Sequence, residues 1–345
     1  MRTETDLKDF IRQLRAFTTP LTVYGSNGAR MLDMAIDEDP AIMYYIEGMR
    51  AEGGFGWVRY HFTYRNTDVP ANALLTVSSE SEAQDALADA MTTFKHRLIM
   101  VSRRGVDFGR VYNDFSITYQ GFYSNLVDVR FGAASIDRYG LVIADFTFSY
   151  RLGKVMLSMM SREVEEELKR VARTIFTPSM TPEVKAYVAH NYLARTVEYW
   201  LKEEANPIER SCMQSAYGAL VKKKCVCQGF AEAYKRLLDT QGIRCFVIIG
   251  KVKGDSVGHA WNAITFDGRE YFHVDVTWDS KSTGRVSDTY FGLSDTEMVK
   301  TRLWTRRPEC ICSGKTNILS IIKSQILSNK SNLVAQGAKE EYMGV

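Results

Sequence analysis

The sequence predicts an α+β fold in which a helix packs on an antiparallel sheet. The helix follows residue 227, where apolar residues recur at helical spacing, and Gly242 stands where a helix C-terminus favours glycine. Two runs of alternating residues, 258–266 and 270–278, flank an Asp-Gly pair at 267–268, which is a strong hairpin signal. A region of mixed helix and strand signals precedes this core.

The N-terminal region contains several local signals that predict alternating helices and strands. Apolar residues at helical spacing over 7–17 predict a helix that ends before Pro20. Residues 57–64 alternate like a strand, and the spacing of Ser79 and Glu82 is typical of a capping box that opens a helix. We therefore predict an N-terminal α/β region over 1–155, whose role in substrate recognition or as a structural cover the sequence leaves open.

Two further helices are predicted in the second half of the chain. Thr181 is a good N-cap before Pro182, and the helix is expected to run towards Glu204. Isoleucines at helical spacing from Ile318 onwards predict a C-terminal helical tail over 316–345.

Composition limits the classes of function. The 345 residues leave room for two domains, and 45% hydrophobic with 12% aromatic residues indicate a globular protein. A net charge of +3 is too small to indicate a nucleic-acid partner. No apolar stretch reaches the length of a membrane span, and the start lacks a signal pattern. The chain is thus expected to be cytoplasmic, or exported if a leader has been removed; its oligomeric state is not specified.

Cys227, His259 and Asp275 are the candidate catalytic residues. A thiol at the start of a helix lies near the positive end of the macrodipole, which favours the thiolate. A nucleophilic thiol needs a proton acceptor, and the acceptor needs a group that orients it. His259 and Asp275, one on each run of the hairpin, are suited to these two roles.

The register of the hairpin decides whether His259 and Asp275 share a face. A two-residue turn would direct their side chains to opposite faces. A three-residue connection over 266–268, with Gly268 in the left-handed conformation, would set them directly opposite each other. It would also gather apolar residues on the other face of the hairpin. We predict this second register.

Three stretches resemble the transglutaminase-like core found in many bacterial proteins. They read CVCQGFAEAYKRLLDTQGIRC from Cys225, GHAWNAI from Gly258 and HVDVTWD from His273. The upstream residues HNYL at 190–193, Glu198-Tyr199 and AYGAL at 216–220 are similar to the lead-in of that family. The segments YFGLSDTEM at 290–298, Trp304 and Pro308-Glu309-Cys310 are similar to its continuation.

The resemblance implies a papain-like fold with a Cys-His-Asp triad, matching Cys227, His259 and Asp275. It implies a catalytic core over 156–315. The implied activity is acyl transfer through a thioester on protein or peptide amides, as in a cysteine peptidase, an amidase or a protein-glutamine transferase. Hydrolysis and amine transfer remain open. The alternative is a catalytically silent binding module on the same scaffold.

Other residues compete with the triad or complete it. Cys225 is the rival thiol and is interpreted as structural, His273 as a supporting or surface residue, and His190 as a packing residue. For oxyanion stabilisation, the Cys227 backbone N–H needs a second donor, and Tyr217 or Gln214 are the candidates. Trp261 and Trp278 are candidate walls of the acyl site.

A metal site is considered and set aside. The pairs Cys225–Cys227 and Cys310–Cys312 offer four thiolates, but the usual spacing within a zinc pair is longer, and such a site would consume the nucleophile. We therefore predict no metal and no other cofactor. The six cysteines are too few and irregular for a disulfide scaffold, although a disulfide at Cys310 or Cys312 is open for an exported protein.

Overall fold

The computed structural model describes residues 5–70, 73–103, 105–118, 125–136, 139–201, 205–306 and 310–344. It divides into two compact units, the first formed by 1–115 and 128–149 and the second by 116–127 and 150–345. The domain boundaries at 155 and 315 stay predictions. Residues 202–204 and 308–309, where the sequence places a helix end and part of the family-like continuation, lie outside the described residues.

The first unit mixes helices and strands, as predicted. Its elements in chain order are α1 (Leu7–Arg15), β1 (Leu21–Tyr24), α2 (Met31–Glu38), β2 (Ile46–Gly54), β3 (Trp57–Tyr64), β4 (Leu74–Thr76), α3 (Glu80–Thr92), β5 (Arg97–Arg103), α4 (Phe108–Thr118), β6 (Leu126–Ile136) and β7 (Leu141–Tyr150). They form a three-stranded sheet in the order β1-β3-β2 and a four-stranded sheet in the order β4-β5-β7-β6. Ser79 caps α3 by accepting from the Glu82 backbone N–H.

The second unit contains the predicted core. Its elements are α5 (Lys154–Ile175), α6 (Pro182–Thr196), β8 (Glu198–Tyr199), α7 (Pro207–Met213), α8 (Ala216–Leu220), β9 (Lys224–Cys225), α9 (Cys227–Asp239), β10 (Arg244–Val252), β11 (Gly258–Thr265), β12 (Tyr271–Val274), α10 (Val276–Asp279), β13 (Phe291–Leu293), α11 (Asp295–Met298), β14 (Arg302–Trp304), α12 (Ile318–Ala335) and α13 (Glu340–Met343). Five strands form an antiparallel sheet in the order β13-β12-β11-β10-β14. The α+β class is confirmed.

Helix α9 begins at Cys227 and packs on this sheet. Its predicted apolar side chains, Phe230, Tyr234, Leu237 and Leu238, are fully buried. Gly242 has a φ of +68°, and the N–H groups of Gly242 and Ile243 bond back to the carbonyls of Asp239 and Leu238. These two bonds close the helix as a Schellman motif, for which glycine is the favoured residue.

The predicted hairpin register is wrong by two residues, although the predicted sharing of faces is right. Asn262 pairs with Val274 and Thr265 with Tyr271, so the connection spans five residues. Gly268 is left-handed, with a φ of +74°. The turn is lengthened because Asp267 Oδ1 accepts hydrogen bonds from two of the backbone N–H groups that follow it, at 2.8 and 3.0 Å.

The second strand of the hairpin also ends earlier than predicted. It stops at Val274, and Asp275 is the N-cap of the short helix α10, its side chain accepting from the Trp278 backbone N–H. Trp278 therefore does not lie on a strand. Both faces of the sheet are buried, because the face that carries His259 and Trp261 packs on a second apolar cluster that includes Met298, Cys310 and Cys312.

Helix α6 is shorter than predicted. Thr181 caps its start as expected, but the helix ends at Thr196 and does not continue towards Glu204. The chain then becomes extended, since Val197, Tyr199 and Trp200 are residues that favour strands. Strand β8 follows and pairs in parallel with β9, which immediately precedes Cys227 in the chain.

The predicted C-terminal helix is present as α12. It packs on α6, where Thr181 Oγ1 and Gln325 Oε1 lie 3.0 Å apart, and α13 follows it. Asn191 on α6 donates to the carbonyl of Tyr342, and Met343 is fully buried. Among the described residues, no helix combines the length and the apolar character that a bilayer span requires.

The close approach of α9 to its neighbours requires glycine at position 229. A Cβ there would lie 2.5 Å from the Cβ of Cys225 and 2.9 Å from the carbonyl oxygen of Ser215. We expect Gly229→Ala to lower the free energy of unfolding by about 1–3 kcal/mol, because the helix or its neighbours must shift. Urea unfolding measures the change. Gly132→Ala is the control, since no heavy atom lies within 4 Å of the added methyl; equal midpoints for the two variants would contradict the expectation.

Candidate active site

The Cys227 thiol lies at the N-terminus of α9. Cys227 is the first residue of the helix, and the preceding residue, Val226, is anchored by its backbone N–H to the Met213 carbonyl at 3.0 Å. The side chain is half-buried and packs against Ala231, Val247 and Ala260. The thiol is therefore held by the helix and the sheet while part of it stays accessible.

His259 joins Cys227 to Asp275. Its Nε2 lies 2.7 Å from Asp275 Oδ2, which leaves Nδ1 as the remaining ring nitrogen, and the Cys227 side chain is close enough to the ring to raise its pKa. Burial lowers the pKa of His259, but the hydrogen bonds and charges of Asp275 and Cys227 outweigh burial and raise the pKa to about 9. These contacts therefore stabilise the imidazolium that forms when the ring takes up a proton.

The Asp275 carboxylate is fully buried and accepts hydrogen bonds at both oxygens. Oδ1 accepts from the Trp278 backbone N–H at 3.3 Å, and Oδ2 accepts from His259 and from Arg302. Burial raises the pKa of Asp275, but the hydrogen bonds and charges of His259 and Arg302 more than offset this effect and hold the pKa below its usual value. Asp275 is therefore ionised despite its burial.

Arg302 is a partner that the sequence analysis missed. Its Nη2 and Nε lie 2.7 and 3.2 Å from Asp275 Oδ2, and its side chain has no exposed surface. The guanidinium lies 4.4 Å from the ring centroid of Trp278 and 4.7 Å from that of Tyr290. No motif signals this contact, because Arg302 belongs to a three-residue strand far from Asp275 in the chain.

Tyr199 is the second residue that the sequence analysis missed as a functional candidate. It lies on β8 opposite Cys225, and its side chain is close enough to Cys227 for the thiol and the backbone N–H of that residue to act on the tyrosine pKa. Burial, together with the nearby Cys227 and Cys225, raises the pKa of Tyr199 to about 12, although the Cys227 N–H acts in the opposite direction. Its presence in the family-like pair Glu198-Tyr199 was the available signal.

Trp261 packs against one face of the His259 ring and is too deeply buried to line the acyl site. Its side chain is only 1% exposed, and its ring stacks on that of His259 with centroids 5.8 Å apart. The Trp261 Nε1–H donates to His273 Nδ1 at 3.1 Å, and His273 Nε2 lies 2.9 Å from Asp295 Oδ1. His273 is thus a buried supporting residue and not a surface residue. Gly250 makes room for this indole, since a Cβ there would lie 2.6 Å from Trp261 Cη2.

Within the described ranges, one group of three or more side chains could hold a metal ion. It consists of His273, Asp295 and Cys312, whose possible ligand atoms lie within 4.8 Å of one another. The hydrogen bonds do not suit a metal. Trp261 donates to Nδ1 of His273, so the ring proton must reside on Nε2, the nitrogen that faces Asp295. A metal would need the Nε2 lone pair. The four cysteines at 225, 227, 310 and 312 do not form such a group.

The other predicted residues occupy different environments. The Tyr217 hydroxyl donates to Glu163 Oε2 at 3.1 Å, and Lys222 lies over its ring, so Tyr217 is engaged away from the thiol. Gln214 is the C-cap of α7, beside the residue that anchors Val226, and stays a candidate. Burial raises the pKa of Cys225 well above its usual value, which suits a structural thiol.

His190 and Trp278 lie near the segment that follows Asp275. His190 Nε2 lies 3.1 Å from Asp279 Oδ2, and both side chains are fully buried, so His190 stabilises the α10 segment. Trp278 is 39% exposed and packs edge-on against Tyr290. Unlike Trp261, it presents aromatic surface to solvent beside the triad.

Comparison with known families finds one match, which lies in the second unit. Residues 169–276 match the model of the transglutaminase-like superfamily, which confirms the resemblance and includes Cys227, His259 and Asp275. A comparison with curated proteins found no match.

Three solved structures are similar to this chain at low identity. A proposed cysteine protease from Cytophaga hutchinsonii is 14% identical, with a TM-score of 0.28, over 47% of this chain and 68% of that chain. A TGase is 14% identical, with a TM-score of 0.30, over 81% of both chains. A proposed protease from Parabacteroides distasonis is 11% identical, with a TM-score of 0.25, over 51% of this chain and 39% of that chain.

The pKa of His259 provides a direct test of the His259–Asp275 contact. We expect it to fall from about 9 towards or below its usual value of 6.5 in Asp275→Asn, because the variant loses the negative charge while burial remains. NMR titration of the imidazole Cε1–H, assigned with His259→Gln, measures the change. The control is Asp37→Asn, which removes an exposed carboxylate in the first unit. A pKa that stays near 9 in Asp275→Asn would contradict the assigned contact.

Proposed function

We propose that the transglutaminase-like core over 169–276 makes this protein a Cys-His-Asp acyl-transfer enzyme that acts on protein or peptide amides. The observation that carries the proposal is the position of His259, which bonds with the fully buried Asp275 carboxylate and lies close to the half-buried Cys227 thiol. A nucleophile, a base and a group that orients the base are the parts that thioester chemistry requires.

In the proposed reaction, His259 transfers each proton that the bond changes require. His259 takes the proton of the Cys227 thiol, and the sulfur attacks the carbonyl carbon of the amide. As the tetrahedral intermediate collapses, His259 gives the proton to the leaving amine and a thioester remains. Water or a second amine then attacks the thioester, His259 accepts the proton of that nucleophile, and the sulfur leaves with the proton returned by His259. Asp275 stabilises the imidazolium throughout and fixes the ring orientation.

The oxyanion of the tetrahedral intermediate would be stabilised by two donors. The Cys227 backbone N–H and the Tyr199 side chain are close enough for the N–H to lower the pKa of the tyrosine. A substrate oxygen bound between them would receive one hydrogen bond from each group. Because Tyr199 is held on β8 against β9, its hydroxyl would need no rearrangement of the chain.

Exposed apolar side chains near the triad favour an amide that lies within a peptide or protein. The Trp278 indole is partly exposed, and so is Ile249, which pairs with Ala260 next to the thiol. Such side chains can bind an apolar residue that neighbours the reacting amide. They do not decide whether water or an amine resolves the thioester.

Thiol labelling tests the nucleophile. We expect iodoacetamide at limiting concentration to modify Cys227 first, because the other cysteines are buried or, like Cys212, lack a histidine partner among the contacts described. Intact-mass and peptide mass spectrometry locate the label. Cys227→Ala should abolish the rapid phase, and the matched variant Cys212→Ala should keep it. Rapid labelling that persists in Cys227→Ala, or that moves to Cys225, would show that the nucleophile is misassigned.

Product analysis distinguishes hydrolysis, amine transfer and a silent module. With a glutamine-containing peptide and a primary amine, a transferase should yield the amine adduct, an amidase should yield glutamate, and a peptidase should yield shorter peptides. Each product should disappear with Cys227→Ala. If the rapid labelling is present and a broad panel of peptides yields no product, the binding-module alternative holds and the proposed activity is wrong.

Tyr199 should contribute mainly to the chemical step. We expect Tyr199→Phe to lower kcat about 10²-fold with little change in KM, which is typical of the loss of one oxyanion donor. Steady-state kinetics with the substrate found above measures the effect. Tyr217→Phe is the matched control, since its hydroxyl bonds with Glu163. Equal kcat values for the two variants would remove Tyr199 from the oxyanion site.

A further inference from the structure

We propose that Arg302 is a positioning residue of the triad, which holds the Asp275 carboxylate in place for His259 and balances the buried charges. The inference rests on the proposed function, since it concerns the same triad. Within the described residues, the polar contacts of Arg302 reach neither the thiol nor the imidazole; Arg302 acts through Asp275 Oδ2, the same oxygen that His259 uses.

The position of the guanidinium is fixed on several sides. Trp278 and Tyr290 lie within 5 Å of it by ring centroid, and Nη1 also donates to the Thr301 carbonyl at 3.4 Å. The Asp275 backbone N–H donates to the carbonyl of Tyr290 at 3.0 Å, so one of the two aromatic residues also anchors the aspartate. The carboxylate therefore packs tightly with Arg302 and both rings, and it cannot rotate without displacing the arginine.

The charges of the triad balance only when Arg302 is counted with them. With the thiol proton on His259, Cys227 and Asp275 carry one negative charge each, and His259 and Arg302 carry one positive charge each. Buried charges are costly unless they are paired. Without Arg302 the group would carry a net negative charge, and without the Asp275 charge it would carry a net positive charge.

The remaining titratable groups around His259 do not change this count. Tyr199 on β8 and Cys225 on β9 both have a raised pKa and are neutral near pH 7. His273 and Asp295 lie behind the Trp261 indole and pair with each other. The balance between Cys227, His259, Asp275 and Arg302 therefore determines how firmly the imidazolium proton is held.

Two substitutions should move the proton affinity of His259 in opposite directions. Arg302→Met leaves excess negative charge, so the His259 pKa should rise by about one unit. Asp275→Asn leaves excess positive charge and should lower the His259 pKa. The double variant Asp275→Asn with Arg302→Met restores the balance, and its His259 pKa should return towards that of the wild type. NMR titration of His259 measures these shifts without a substrate.

The positioning role predicts a separate kinetic effect. Arg302→Met should lower kcat on the order of 10- to 100-fold with KM nearly unchanged, because the imidazole is no longer held at its reactive orientation. In the double variant kcat should stay low although the His259 pKa recovers. The control is Arg306→Met, which removes an exposed guanidinium of the same segment that lies near Asp295 and Trp304, and which should keep both kcat and the pH profile.

A lysine variant covers the case in which Arg302→Met does not fold. Arg302→Lys keeps the charge but loses the planar pair of donors. Its His259 pKa should stay near the wild-type value while kcat falls. Thermal unfolding confirms that each variant is folded.

The outcomes separate this inference from the proposed function. Failure of Cys227 to be the rapidly labelled thiol in the wild type would refute the proposed function. If Cys227 is labelled but the His259 pKa of Arg302→Met is unchanged or falls, or if folded Arg302→Lys has wild-type kcat, only the role of Arg302 is overturned.

Discussion

The geometry of the candidate site depends on the Asp275 carboxylate remaining ionised in a fully buried position. Each of its oxygens accepts hydrogen bonds, and the donors come from His259, Arg302 and the backbone of Trp278. These donors are brought together by the end of one strand, the edge strand of the sheet and the first turn of a short helix. Since an unpaired buried carboxylate would become protonated, the loss of these donors would also remove the partner that keeps the imidazole oriented.

A second set of contacts supports the imidazole from its other side. Trp261 stacks on His259 and donates to His273, which in turn bonds with Asp295. The strand neighbour Gly250 leaves the space that the indole occupies. The histidine is therefore held by a charged partner at one edge and by a packed aromatic ring on one face, while its remaining nitrogen faces the thiol. This arrangement limits the motion of the ring without blocking access to Cys227.

The sequence predicted two features of the candidate site that the structure contains, namely Cys227 at the start of a helix and the contact between His259 and Asp275. Helical spacing indicated the first, and the alternation of side chains on two runs around an Asp-Gly pair indicated the second, while the assignment as a triad also used the family resemblance and stays a prediction. The register itself was not predictable, since side chains of Asp267 and Thr265 bond with the turn and lengthen it. A shift of two residues leaves every side chain on the same face of the strand. The prediction that His259 and Asp275 share a face was therefore right, although the predicted backbone pairing was wrong.

Residues whose roles depend on distant parts of the chain could not be predicted in this way. Tyr199 was assigned to a continuing helix, whereas its strand exists through pairing with β9. Nothing in the sequence around Arg302 distinguishes it from a surface arginine. Its strand, β14, forms one edge of the five-stranded sheet, and β13 forms the other edge, next to the strand that ends before Asp275. The guanidinium that neutralises the buried carboxylate is thus supplied by the outermost strand, so the charge environment of the histidine is complete only where β14 pairs with β10.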